Sequence, residues 1–199
     1  MDRRNFISSS LIGAGIAAVG AGEALAESAS TKEKNATTFG VGFLSDYSEH
    51  RVELAKVYGY DCISVQMGRN RPYCQDLESG EEVKKMMDVF EKHGVFITSF
   101  ADYANHLDAN PDAREASSEF THTLIDVAAQ MGIKTIAALC GRDPSKSIDE
   151  SLDDFKTVWG PLAKHAEDKG IKIAFENWVG GNDISHGVNL AICPYAWNK

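Results

Sequence analysis

The sequence predicts an α/β fold, and within that class a partial (β/α)8 TIM barrel. Five short apolar segments alternate with helical patterns along the chain. Their starts lie roughly 33 residues apart, a spacing that fits a complete barrel of about 250 residues, so the chain holds about five of eight βα units. No GxGxxG or P-loop motif follows any of these segments, which argues against an open nucleotide-binding sheet.

The predicted strands are the apolar segments, at residues 39–44, 62–67, 96–101, 135–140 and 171–176. Strands that alternate with helices pair in parallel through right-handed crossovers. In barrels of this kind the catalytic groups lie at the carboxyl ends of the strands. Glu176 ends the fifth segment and is therefore the leading candidate for a catalytic residue.

Helices are predicted after the first four strands, over residues 49–58, 81–93 and 111–131 and from Ser151 to the stop at Gly170. The third helix has the clearest start, since Asn110 is a favoured N-cap and Pro111 suits the first helical position. Ser151 is the expected N-cap of the fourth helix. Four histidines fall on these helices and are expected to be solvated: His50, His93, His122 and His165.

The N-terminal residues have the pattern of an export signal rather than of a folded element. Arg3 and Arg4 precede a weakly apolar stretch, and Ala24-Leu25-Ala26 follows as a small-x-small cleavage site. We interpret residues 1–26 as a twin-arginine signal peptide read by the Tat export machinery, with a signal anchor or a loose amphipathic tail as the alternative. Residues 27–38 are then predicted to be a flexible lead-in, and residues 39–199 an incomplete barrel domain. The predicted location of the mature protein is periplasmic or extracellular.

Charge and cysteine content exclude two classes of partner or site. The chain has a net charge of -9 and a pI of about 5.1, which disfavours nucleic acid as a partner. The four cysteines have no CxxC spacing, so a cysteine zinc site is not expected. Cys62 and Cys140 fall on predicted strands and are expected to be buried free thiols.

Several segments after the strands match a known family in order and spacing. They are Tyr-Ala-Asn-His-Leu-Asp at 103–108, Cys-Gly-Arg-Asp-Pro at 140–144, Val-Trp-Gly-Pro-Leu at 158–162, Ala-Phe-Glu-Asn at 174–177 and Asn-Leu-Ala-Ile-Cys-Pro at 189–194. From about Phe39 onward the chain thus resembles the sugar phosphate isomerase/epimerase superfamily, the xylose isomerase-like barrels. That superfamily also includes endonucleases of the endonuclease IV type.

The resemblance implies a divalent metal, Mn, Mg, Co or Zn, bound by Glu, Asp, His and Glu at the ends of strands five to eight. Glu176 matches the first of these ligands, and the other three positions lie beyond Lys199. The implied reaction isomerises or epimerises a small sugar or sugar phosphate through an enediolate that the metal stabilises. The 199-residue chain alone is expected to be an inactive fragment, with unpaired edges at its first and fifth strands.

The candidate site residues are Glu176 as metal ligand and catalytic group, His106 as a further catalytic residue, and Asn105, Arg142, Gln66 and Asn177 for substrate binding. Three of them have a structural alternative. Glu176 would otherwise be a salt-bridged residue at the rim of the barrel, and His106 would cap a turn. Arg142 lies in a Gly-Arg-Asp-Pro sequence that is also ordinary turn chemistry.

Three alternative functions accompany the isomerase or epimerase hypothesis. A keto-sugar dehydratase or lyase of the same superfamily would use the same opening step. A nuclease of this fold is disfavoured by the negative charge, by the export signal and by the lack of a histidine-rich cluster in the first five strands. A non-catalytic remnant is the third alternative, and the sequence leaves the oligomeric state open.

Overall fold

A computed structural model describes residues 39–181 and 187–199. The predicted signal peptide and lead-in, residues 1–38, lie outside the described residues. The described part contains a five-stranded parallel sheet in the order β1-β2-β3-β4-β5, so every strand lies beside its neighbours in sequence. This order, with helices between consecutive strands, confirms the predicted α/β class and is that of consecutive βα units of a barrel.

The elements alternate without exception from β1 to β5. They are β1 (Gly42–Ser45), α1 (Glu49–Val57), β2 (Cys62–Met67), α2 (Glu81–His93), β3 (Phe96–Asp102), α3 (Pro111–Gln130), β4 (Thr135–Ala138), α4 (Ile148–Lys169) and β5 (Lys172–Phe175). Short 3-10 turns lie at Pro72–Cys74, Leu190–Ile192 and Ala196–Asn198. Among the described residues no helix is both long and apolar enough to cross a membrane.

Several strand boundaries differ from the sequence prediction, and the largest differences are at the start of β1 and the end of β4. β1 starts at Gly42 rather than Phe39, because its pairing with β2 begins where β2 begins, at Cys62. β4 ends at Ala138 rather than Cys140, where its pairing with both β3 and β5 ends. β5 ends at Phe175, which makes Glu176 the first residue beyond the strand.

The predicted N-cap of α4 is wrong. Ser147, not Ser151, caps this helix: its hydroxyl accepts from the backbone N–H of Glu150 at 3.3 Å, and the Glu150 carboxylate accepts from the backbone N–H of Ser147 at 2.9 Å. This reciprocal capping box satisfies two N–H groups that would otherwise lack partners. Ser151 is buried inside the first turn, where its hydroxyl donates to the Ser147 carbonyl at 2.8 Å.

The core lies between the sheet and its helices. Phe100 of β3, Ile136 of β4 and Ile125 of α3 are all fully buried. Burial of each such side chain contributes about 1.5–3 kcal/mol. Trp159 of α4 is also buried, and its indole N–H donates to the carbonyl of Cys140 at 2.7 Å. The tryptophan therefore ties α4 to the chain that leaves β4.

The cysteines are free thiols, as expected for Cys62 and Cys140, and burial raises the pKa of Cys140 to about 12. The expectation of solvated histidines holds only in part. His50 and His122 are exposed, but His93 and His165 are half-buried between elements. In the part of the chain that the structure describes, β1 and β5 each pair with one neighbour, so the sheet is open at both edges.

Candidate active site

Parallel pairing brings the carboxyl ends of all five strands to one edge of the sheet, and the candidate residues gather there. Gln66 is the penultimate residue of β2, Asp102 is the last residue of β3, and Glu176 follows β5. The loop from Tyr103 to Asp108 follows β3 at the same edge. The structure thus places the predicted site residues on the side of the sheet where barrel enzymes carry their chemistry.

Glu176 is held by contacts to two neighbouring strands. Its backbone N–H donates to the carbonyl of Ala138 in β4 at 2.9 Å. Its half-buried carboxylate accepts a hydrogen bond from the hydroxyl of Tyr103, which follows β3. Burial and this bond to Glu176 raise the pKa of Tyr103, so the phenol stays protonated and remains a donor. The carboxylate is therefore oriented across the end of β4.

The residues after Glu176 extend toward solvent. Asn177 is exposed, and Trp178 is 53% exposed. The Trp178 indole stands edge-on to the Tyr103 ring, with 6.5 Å between centroids. The exposed indole thus offers an apolar face next to the polar groups of the site.

Asn189 fixes the backbone on which Glu176 lies. This side chain is 1% exposed, and its amide nitrogen donates to the carbonyls of Glu176 at 2.8 Å and Trp178 at 2.5 Å. Its amide oxygen accepts from the backbone N–H groups of Cys140 at 3.1 Å and Ala191 at 3.2 Å. One asparagine thus joins the segments after β4 and β5 at the site.

Asn105 makes a similar link between the segments after β3 and β4. Its amide oxygen accepts from the Arg142 backbone N–H, and its amide nitrogen donates to the Arg142 carbonyl, each at 2.9 Å. Gly141 permits this approach, since its φ is +84° and an added Cβ would lie 2.6 Å from the backbone nitrogen of Leu107. The amide of Asn105 is thus already paired within the protein.

Arg142 is half-buried, and its Nε is buried without a hydrogen-bond partner among the described residues. A buried guanidinium N–H without a partner costs about 1–3 kcal/mol. An oxygen of a bound molecule would satisfy it. The predicted role of Arg142 in substrate binding stays a prediction, and this unpaired donor is the feature that favours it.

His106 lies beneath the site rather than at its surface. The side chain is completely buried, with Nδ1 3.0 Å from the carbonyl oxygen of Ala104 and Nε2 2.7 Å from the hydroxyl of Thr121. That hydroxyl in turn donates to the buried carboxylate of Asp102 at 2.7 Å. Burial lowers the pKa of His106, and the Asp102 carboxylate opposes part of this effect.

Both ring nitrogens of His106 are therefore occupied inside the protein, and the ring also packs against Trp159 at 4.4 Å between centroids. This placement favours the turn-supporting role over direct contact with substrate. His106 thus lies beneath the loop that carries Tyr103 and Asn105, and its predicted catalytic role stays a prediction.

A cavity of about 490 Å³ opens at the ends of β2 and β3. Its polar lining includes Gln66, Arg69, Arg71, Tyr103 and Asn105. This volume lies within the range of small-molecule sites. The cavity brings Gln66 and Asn105 together, and Tyr103 connects it to Glu176.

Arg71 and Asp46 orient the side chain of Gln66. With its amide nitrogen toward Asp46, Gln66 donates to Oδ1 at 3.3 Å and accepts from Arg71 Nη2 at 3.2 Å. Arg71 is also ion-paired with Asp46 at 2.8 Å. Gln66 therefore lies at the cavity wall with its amide engaged by neighbouring charges.

Glu176 would give a metal at this edge one carboxylate, whereas the buried Asp102 carboxylate accepts from Thr121. A hard or borderline cation needs several oxygen or nitrogen ligands. No group of three converging His, Cys, Asp or Glu ligands includes Glu176 among the residues that the structure describes. Glu176 suits a first ligand, but these residues do not complete a metal site.

Sequence reasoning missed Tyr103, Thr121 and Asn189 as site-building residues. Asn189 had a local signal, since an asparagine before Leu190-Ala191 is a favoured cap, and it does accept from the Ala191 N–H. Tyr103 and Thr121 act on residues far along the chain, 73 positions away for Glu176 and 15 for His106. Nothing in their local sequence marks those contacts.

The fold and the site define a class: a parallel α/β domain of barrel type with a carboxylate at the carboxyl end of a strand. The chain matches the family described as xylose isomerase-like TIM barrel over residues 52–191. It belongs to that family, which confirms the resemblance stated above. Comparison with curated proteins gives no significant match.

Solved structures share the fold at low sequence identity. A D-psicose 3-epimerase with D-tagatose, from Clostridium cellulolyticum H10, is similar at a TM-score of 0.53 and 14% identity, over 68% of this chain and 51% of that one. The IolI protein with a bound zinc atom is similar at a TM-score of 0.54 and 15% identity, over 69% of this chain and 51% of that one. A xylose isomerase domain protein from Planctomyces limnophilus is similar at a TM-score of 0.53 and 14% identity, over 69% of this chain and 51% of that one. The chain spans about half the length of these structures.

Proposed function

We propose that this chain forms part of a metal-dependent sugar isomerase or epimerase. The observation that carries the proposal is the position of Glu176 at the carboxyl end of β5, oriented by the Tyr103 hydroxyl beside a polar cavity. Family membership supports it, as do similar folds whose names include D-psicose 3-epimerase and xylose isomerase. A keto-sugar dehydratase or lyase is the alternative within the same chemistry.

The described residues suit the binding and orientation of a polyhydroxylated substrate. Gln66, Arg69 and Arg71 give the cavity amide and guanidinium groups that hydrogen-bond to hydroxyl or phosphate oxygens. Trp178 offers an exposed ring beside Tyr103, which lines the same cavity. A divalent metal, when bound, would stabilise negative charge on the carbonyl oxygen of the sugar. Glu176 is the ligand that this chain contributes, and the other ligands come from outside the described residues.

Solvent exchange tests the proposed reaction without knowledge of the natural sugar. The protein, isolated at its natural length from the cells that make it, is incubated in D₂O with ketohexoses, ketopentoses and their phosphates. With Mn²⁺, Mg²⁺, Co²⁺ or Zn²⁺ we expect NMR to show deuterium on the carbon next to the carbonyl, and no exchange after chelation. Such exchange follows from removal and return of that proton through an enediolate.

The same spectra separate the alternatives. Loss of water from the sugar together with exchange would assign the protein to the dehydratases or lyases. An absence of exchange and of turnover across the panel, with metal bound, would contradict the proposal and favour the non-catalytic alternative.

We further propose export by the twin-arginine route, with cleavage after Ala26. The support is the Arg3-Arg4 pair and the Ala24-Leu25-Ala26 site that follows it. Arg3→Lys together with Arg4→Lys should leave the uncleaved precursor in the cytoplasm, because the receptor reads the arginines and not merely their charge. Cell fractionation and mass spectrometry measure location and cleavage. Lys32→Arg with Lys34→Arg is the matched control, and equal delivery of both double variants to the periplasm would contradict the proposal.

A further inference from the structure

A cluster of two histidines and an aspartate lies on the helices, away from the carboxyl ends of the strands. His122 and Asp126 are four residues apart on α3, so they lie on the same face of that helix. His165 faces them from α4, which packs beside α3. The two imidazole rings are stacked, with centroids 3.7 Å apart and an interplanar angle of 12°.

The ligand atoms of these side chains lie close together. Nε2 of His165 lies 3.1 Å from Oδ1 of Asp126, and Nδ1 of His122 lies 3.8 Å from Oδ2. One ligand atom from each of the three side chains lies within 4.8 Å of the others. In a tetrahedral zinc site with bonds of about 2.0–2.2 Å, ligand atoms are separated by about 3.2–3.6 Å. To bind one metal, the three ligand atoms would have to move closer together, and the stacked rings would have to turn their nitrogens toward it.

We propose that His122, Asp126 and His165 form a binding site for a divalent transition metal, with Zn²⁺ as the best match. Two imidazoles and one carboxylate are the donor types that Zn²⁺ prefers, and water would complete the coordination. The site is open to solvent, since the side chains of His122 and Asp126 are 55% and 30% exposed. A metal here would join α3 to α4, and its ligands include none of the residues proposed for the sugar reaction.

Lys169 competes with the metal for the same carboxylate. Its Nζ lies 2.6 Å from Oδ1 of Asp126, the oxygen that His165 also approaches. In the metal-free protein this lysine neutralises Asp126, and a metal ion would have to displace it. If the three side chains bind a metal, removal of Lys169 should strengthen that binding. If they form only a structural ion-pair cluster, removal of Lys169 would only weaken the cluster.

Cobalt titration tests the site directly, because four-coordinate Co²⁺ gives visible absorption bands that Zn²⁺ abolishes on displacement. The full chain is purified without a histidine tag and titrated with Co²⁺ and then with Zn²⁺. We expect a saturable absorption signal and a higher melting temperature with Zn²⁺, since a ligand that binds only the folded state stabilises it. His122→Ala and His165→Ala should each weaken binding by roughly tenfold or more.

Three further variants give the controls. His50→Ala removes an exposed histidine of α1 and should change nothing. Glu176→Gln should leave unchanged the part of the signal that His122→Ala and His165→Ala remove, which separates this site from any metal at the proposed active site. Lys169→Met should tighten binding by roughly two- to fivefold, the gain expected from loss of one competing exposed ion pair. Absence of a saturable signal, or binding unaffected by His122→Ala and His165→Ala, would overturn the proposal.

Discussion

Replacement of Asn189 by alanine should lower the free energy of unfolding by about 3–4 kcal/mol, because it leaves several buried groups without partners. The lost partners are four backbone groups: the N–H groups of Cys140 and Ala191 and the carbonyls of Glu176 and Trp178. A buried polar group without a partner costs about 1–3 kcal/mol, and partial access of water at this edge of the sheet reduces the sum. The loss would be a large share of the ~5–15 kcal/mol that stabilises a domain.

Urea unfolding followed by circular dichroism measures this change, with Asn198→Ala as the control. The Asn198 side chain is exposed and donates a single hydrogen bond, to the Pro194 carbonyl at 2.9 Å, so its loss should cost less than about 1 kcal/mol. Equal midpoints for the two variants would show that Asn189 does not hold the two segments together. Hydrogen exchange would locate the effect, since the N–H groups of Cys140 and Glu176 should lose protection before those of β2 and β3.

The sequence predicts β2 to β5 well because each is a short apolar run that follows a glycine after the preceding helix. β2 and α2 are found at the residues predicted, and β3 extends one residue further. The errors lie at ends where contacts with other elements decide the boundary. β1 and β4 shorten because a strand ends where its neighbour no longer pairs, and the sequence of one strand does not contain that information.

The start of α4 is a different kind of error, since the local signal was present. Ser147 and Glu150 have the spacing of a capping box, which outranks a lone serine such as Ser151. The sequence alone therefore contains the signal for the N-cap at Ser147, and the prediction of Ser151 overlooked it.

The candidate site was less predictable than the fold. Its position after β5 alone places Glu176 at the edge formed by the carboxyl ends of the strands, because residues that follow parallel strands share that edge. The burial of His106 depends on Thr121 of α3 and Trp159 of α4, which enclose it from two other elements. Asn105 bonds to the backbone of Arg142, so its role needed the loop after β4 to be in place. Contacts between distant segments thus decide which polar loop residues face a ligand.

The largest effect on activity is expected for Glu176→Gln in the protein at its natural length. Metal-dependent turnover should fall by roughly 100-fold or more, the scale of a lost charged catalytic or ligating group. A neutral amide is a much weaker ligand for a divalent cation than a carboxylate. The fold should survive, because glutamine keeps the shape of the side chain and its amide oxygen still accepts from the Tyr103 hydroxyl.

Two companion variants separate the charge of Glu176 from its orientation. Tyr103→Phe removes the hydrogen bond to the carboxylate but keeps its charge, so metal content should persist while turnover falls by a smaller factor. Glu167→Gln removes an exposed carboxylate of α4 that pairs with Lys164 at 3.2 Å, and it should leave metal content and turnover unchanged. Elemental analysis gives the metal content and solvent exchange gives the turnover. If Glu176→Gln kept full metal content and full turnover, its carboxylate would be a residue of the barrel rim held by Tyr103, and the ligands of the active site would have to come entirely from other residues.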